Sequence, residues 1–227
     1  MTLYVNGLSA VRSGRTILHR TSLTIEPGER IGLVGSSGSG KSTLGHALVD
    51  ALRADGVSVA HVTQTPDAAL DPLRSMGFHW REAERALGLP PNPERRSALF
   101  EVLSIGHGDL RKRPWGWSRG MQQRFVIGMA LIGSPDLIVL DEPTSALDPV
   151  VAARSMDLLD ESLSGGHTAM VLITHDLALA AHRVDRLVVL DTGRVVEDAP
   201  TERLLAAPQT PCAQDLCAHK SWMAMPC

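Results

Sequence analysis

Two short segments of this 227-residue chain carry residue types whose spacing could do phosphate chemistry. The first, GSSGSGKST (Gly35–Thr43), fits G-x-x-x-x-G-K-[ST] in full. Gly35, Gly38 and Gly40 let the backbone turn so that successive N–H groups, those of Ser36, Ser37 and Ser39 among them, point at phosphate oxygens. A helix starting near Ser42 would add the positive end of its dipole. Lys41 would set a point charge against β- and γ-phosphates, the Ser42 hydroxyl can ligate Mg²⁺, and Thr43 completes the motif. The second segment, LIVLDEPTSALD (Leu137–Asp148), ends an apolar run in adjacent carboxylates. Asp141 is placed to hold Mg²⁺ through water, and Glu142 to orient and deprotonate an attacking water. A simple nucleoside kinase needs no second carboxylate there, because its nucleophile is a substrate oxygen. His175 in LITHD ends another apolar run within reach of a γ-phosphate, and Gln64 at the end of AHVTQ can approach Mg²⁺ and the water.

These groups need a sheet to hold them. The apolar runs at Arg30–Gly35, DLIVLDEP and AMVLITHD read as buried parallel strands with function at their C-terminal ends. VSVAHVTQ reads as a further strand. Ser42–Arg53 places Leu44, Ala47, Leu48, Ala51 and Leu52 on one helical face, and Pro149–Ser164 also has helical spacing. The N-terminal LYVNGLSAV and TSLTIEPGER alternate as short strands, and RLVVLDTGRVVED predicts a hairpin turning near Thr192-Gly193. The fold class is α/β. The expected division is a nucleotide-binding core over 1–66 and 132–206, a helical subdomain over 67–131, and a tail over 207–227. After Pro200 the sequence predicts a short helix and then a loose Pro/Cys-rich end.

Composition narrows the class further. Apolar residues make up 44% and charged residues 21%, with a net charge of −3, which gives no electrostatic reason to expect nucleic acid as a partner. No window approaches 18 uninterrupted apolar residues, so no membrane span is expected, and the N-terminus lacks the pattern of a signal peptide. Cys212, Cys217 and Cys227 are an odd, terminal set, which argues for a reducing compartment and against a disulfide framework.

In this order, the phosphate loop, Gln64, WSRGMQQR (Trp117–Arg124), LIVLDEP, SALD (Ser145–Asp148) and His175 resemble the ATP-binding cassette (ABC) ATPases over nearly the whole chain. The run Gln64–Pro72, DEPTSALDP and a Pro208–Pro211 tail look most like the peptide/nickel branch of importers. The resemblance implies a P-loop NTPase with a RecA-like, mostly parallel core sheet, an N-terminal antiparallel β part and a helical subdomain. It implies ATP and Mg²⁺, hydrolysis coupled to transport, and a head-to-tail pair of ATPase subunits. In such a pair Ser118 and Gly120 would contact the γ-phosphate bound to the partner, and Asp148 would lie between the subunits. Transmembrane permease subunits, and indirectly a solute-binding protein, are the further partners implied. The place implied is peripheral, on the cytoplasmic face of the inner membrane. An accessory ATPase of a soluble or multienzyme complex, such as a phosphonate-cleaving one, is the alternative. Two positions depart from the family: Trp117 stands where Leu is usual and Arg119 where Gly is usual. Arg119 either attracts an incoming γ-phosphate or obstructs a site built for close backbone approach. The family's adenine-stacking aromatic falls near Arg12, whose guanidinium plane could stack instead. The short interval between phosphate loop and Gln64 implies a shortened hairpin.

Overall fold

The computed structural model describes residues 1–106, 110–145 and 147–218. Strands β1 (Leu3–Arg12) and β2 (Arg15–Ile25) form an antiparallel ribbon. They are longer than the short strands expected, because alternate residues such as Leu3, Val5, Leu18, Leu23 and Ile25 are buried along their length. The main sheet holds β3 (Arg30–Val34), β4 (Val59–Val62), β5 (Leu137–Asp141), β6 (Ala169–Ile173), β7 (Arg186–Asp191) and β8 (Arg194–Pro200), in the order β4-β5-β6-β3-β7-β8. All neighbours are parallel except the β7–β8 hairpin. β5 and β6 are buried at every residue, as their unbroken apolar runs require. The hairpin turns where expected: Thr192 and Gly193 both have positive φ, 43° and 73°, the geometry of the primed turns that suit strand twist.

Helix α1 (Lys41–Ala54) buries Leu44, Leu48 and Leu52 in a cluster shared by one face of the sheet and the β1–β2 ribbon. The other face packs against α5 (Pro149–Leu163), α6 (Leu177–Ala181) and α7 (Thr201–Ala206). Between β4 and β5 lie α2 (Met76–Ala86), α3 (Pro93–Val102) and α4 (Arg119–Leu131). Their shared core is aromatic: Trp80, Phe100 and Phe125 meet edge to face at 5.0–5.9 Å.

The expected loose tail is corrected over residues 211–218. Residues 211–218 form a second helix, α8 (Pro211–Ala218), which buries Ala213 and packs Cys212, Leu216 and Cys217 against the sheet core. Burying that apolar face outweighs the turn-forming character of its prolines, and Pro211 is itself compatible with a helix's first turn. Residues 219–227, with Cys227, lie outside the described residues.

Candidate functional site

The phosphate loop leaves β3 at Gly35 with φ 150°, where a Cβ would lie only 2.1 Å from the Leu190 carbonyl oxygen. Glycine is required there by the neighbouring strand. At Gly40, with φ 102°, a Cβ would meet the Ile17 carbonyl oxygen at 3.0 Å. Gly40 precedes α1 and supplies no side-chain cap, so no side chain competes for the helix's positive end. The loop is braced from outside: Gly193 N–H donates to Ser39 O, and His19 N–H to Gly193 O, each at 2.8 Å. Lys41 Nζ donates to the carbonyls of Gly35 and Ser36, both at 2.9 Å, and so spans the loop. Burial pulls the Lys41 pKa below its ordinary value, opposed by the charges of Glu142 and Asp141.

Asp141 is the last residue of β5, and its Oδ1 accepts from the Ser42 hydroxyl at 3.1 Å. One residue on, Glu142 adopts φ 48°, a left-handed conformation unfavourable for a side-chain-bearing residue, and its N–H is tied to Ile173 O at 2.9 Å. That turn swings the carboxylate onto His175. Glu142 Oε1 accepts from the His175 backbone N–H at 3.1 Å and lies 2.8 Å from its Nδ1, with Oε2 at 2.9 Å. An ionised carboxylate only accepts, so Nδ1 carries the proton and Nε2 is left for another partner. Glu142 is mostly buried and His175 mostly open.

Lys41, Ser42, Gln64, Glu142 and His175 line one cavity of about 480 Å³, together with Ser37, Gly38, Gly40, Thr43 and Ile17. Ser36 and His175 also line a neighbouring cavity of about 880 Å³ beneath α8. Ser42 and Gln64 line that cavity, and Asp141, which does not line it, joins them through its carboxylate contact with the Ser42 hydroxyl: hard oxygen donors, few enough to leave positions for water and phosphate, as Mg²⁺ prefers. The arrangement can hold a nucleoside triphosphate by its phosphates and present a carboxylate to water at the γ-position.

Other expected site residues lie elsewhere on the chain. Ser118 caps α4, its hydroxyl accepting from Met121 N–H at 3.3 Å. Gly120 abuts α5 so closely that a Cβ would sit 2.3 Å from Val151 Cγ1. Asp148 caps α5 by accepting from Val151 N–H at 3.1 Å. Arg12 stands at the tip of the β1–β2 ribbon, opposite Arg15, and does not line the cavity; the β2 residue that does is Ile17. Trp117 is a core residue, edge to face on Phe125 at 5.4 Å. Sequence reasoning missed Ile17 and the supporting Leu190 and Gly193, because only the folding of β2 and the hairpin against the loop brings them there.

The fold and site define a P-loop ATPase. The family model of the ABC transporters matches residues 18–145, and the chain belongs to that family. It is 33% identical over 229 positions to the dipeptide transport ATP-binding protein DppD of Escherichia coli (strain K12), covering 87% of this chain and 70% of that protein. It is 32% identical over 240 positions to the nickel import ATP-binding protein NikD of Brucella abortus biovar 1 (strain 9-941), covering 91% and 90%. Among solved structures, cbiO1 from Clostridium perfringens, part of the ABC transporter complex cbiONQ, superposes with a TM-score of 0.74 at 24% identity over 89% of this chain and 90% of that one. An ATP binding subunit of an ABC transporter gives 0.76 at 24% identity over 95% and 97%. These two show the fold. The chain is an ABC ATPase related to importer subunits, and it binds and hydrolyses ATP.

Proposed function

We propose that this chain powers import of a peptide, nickel or metal-chelate solute, working as one of two ATPase subunits on a pair of membrane-spanning permease subunits. The observation that carries the reading is the Glu142 carboxylate, turned by a left-handed backbone onto His175 beside the phosphate loop. The loop and Lys41 hold the phosphates. Ser42, Asp141 and Gln64 would hold Mg²⁺, which would supply charge neutralisation to the phosphates. Glu142 takes a proton from the attacking water, and His175, fixed through Nδ1, turns Nε2 toward the γ-phosphate. The Ser118–Gly120 start of α4 completes the partner's site as an anion-binding helix N-terminus, with Asp148 between the subunits. Among the described residues no helix is long and apolar enough to cross a membrane, and exposed Leu73 and Trp115 on the helical subdomain 67–131 offer an apolar footing for a permease. The chain then sits peripherally on the cytoplasmic face of the inner membrane, and a solute-binding protein selects the cargo.

The test is Glu142→Gln in the assembled complex. ATP binding should persist while turnover falls by about 10²-fold or more, the usual contribution of a positioned base. Turnover near that of the parent would overturn the role given to Glu142. Pull-down of the tagged chain from membranes should bring a permease with it.

A further inference from the structure

Arg119 is the one position of the signature segment where a large charge replaces the small residue usual there. It is the first residue of α4, immediately after the Ser118 cap. A cation at a helix N-terminus faces the positive end of the dipole and is unfavourable unless compensated. Here the compensation comes from Asp67: Arg119 Nη1 lies 2.5 Å from Asp67 Oδ2. Asp67 belongs to the short 3₁₀ turn Pro66–Ala68, three residues after Gln64, and α4 rests on that turn. Both side chains are more than half exposed, 53% and 62%, so the pair is cheap to break. The rest of the α4 start is fixed independently. Gln122 Nε2 donates to Pro114 O at 2.8 Å and Trp117 O at 3.0 Å, and Gly120 is packed on Val151. The guanidinium can therefore swing without the helix moving.

We propose that Arg119 is a conditional phosphate ligand: parked on Asp67 in the separate subunit, it exchanges onto the γ-phosphate of the partner's ATP as the two subunits close. This rests on the reading that the α4 N-terminus completes the partner's site. A γ-phosphate offers more charge than one carboxylate and matches the guanidinium fork, and it does so where closure excludes water. The exchange breaks the hydrogen bond from α4 to Asp67, so closure at one site loosens the hold of α4 on the turn that follows Gln64 in the other. The two halves of the pair then have opposite effects on closure.

The experiment measures ATP-dependent dimerisation of the Glu142→Gln chain by sedimentation, with its second ATPase subunit where one co-purifies, at fixed salt. Arg119→Gln should raise the MgATP concentration for half-dimerisation by about tenfold or more, the value of a charge-assisted hydrogen bond. Asp67→Asn should lower it by about two- to fivefold, since a competing exposed ion pair is removed. The double variant should match Arg119→Gln alone. Shifts in the same direction for both single variants would mean that the pair only braces the closed form, and no shift for Arg119→Gln would mean that it meets no phosphate; either overturns the exchange. A Glu142→Gln chain that stays monomeric at saturating MgATP instead overturns the composite-site reading beneath it. Melting temperatures of the variants report folding separately.

Discussion

Gly120→Ala is a one-atom perturbation whose outcome can be worked from the helix contact it disturbs. The new Cβ would lie 2.3 Å from Val151 Cγ1 but 3.8 Å from Val151 Cβ. Carbon atoms attract best at about 3.5–4.0 Å, so more than an ångström must be found. Val151 cannot simply rotate its methyl away, because a β-branched side chain in a helix has essentially one favoured χ1 well. Forcing it, or prising α4 from α5, costs about 1–3 kcal/mol. Ala in place of Gly in a helix returns about 0.5–1 kcal/mol. The net loss of stability is then at most about 2.5 kcal/mol, a fall in Tm of up to about 5–10 °C for a chain of this size. Function should suffer more. If the α4 start completes a partner's site as proposed, displacing it by about 1 Å moves its N–H groups off the γ-phosphate, an error that can cost about 10²-fold in turnover. The assay is phosphate release by the assembled complex beside a thermal melt. Val151→Ala added to Gly120→Ala removes the clash and should restore most of the activity. If the double variant stays as impaired as the single one, spacing from Val151 is not why glycine is needed. Full activity of Gly120→Ala would refute the reasoning at its first step.

Packing at Trp117 and His61 gives two further expected outcomes. Trp117→Leu restores the residue usual in the family, yet it should lower Tm, because the indole is buried on Phe125 and its removal leaves a cavity costing about 2–4 kcal/mol; an unchanged melt would show that the site collapses around Leu. His61 packs edge to face on His46 at 4.9 Å with a buried Nε2 that has no hydrogen-bond partner, and burial, then the His46 charge, lower its pKa from 6.5. Well above pH 6.5 it is neutral in both states and adds nothing to the pH dependence of stability. As pH falls from 6.5 through the lowered folded value, the unfolded chain binds the proton first, so stability drops. His61→Leu should flatten Tm between pH 7 and 5 relative to the parent.

Much of the site was legible because phosphate chemistry constrains sequence locally. Gly35–Thr43 must be glycine-rich before a helix, and Asp141-Glu142 must close a buried strand; each requirement is met within about a dozen residues, so neither depends on knowing what packs against it. The parallel strands were legible for the same reason, since a strand buried on both faces has to be apolar throughout, as β5 and β6 are. Tertiary structure decided what depends on contacts between distant segments. It set the left-handed turn of Glu142 onto His175, 33 residues away, and put Ile17 rather than Arg12 on the cavity. It gave the proline-bearing tail a packed α8, because a waiting apolar surface outweighs weak local propensity. It also made Trp117 a core residue and parked Arg119 on Asp67, 52 positions earlier. Residue types determine which groups can bind and cleave a phosphate. Only the packing of one segment against another determines what each group touches before the nucleotide arrives.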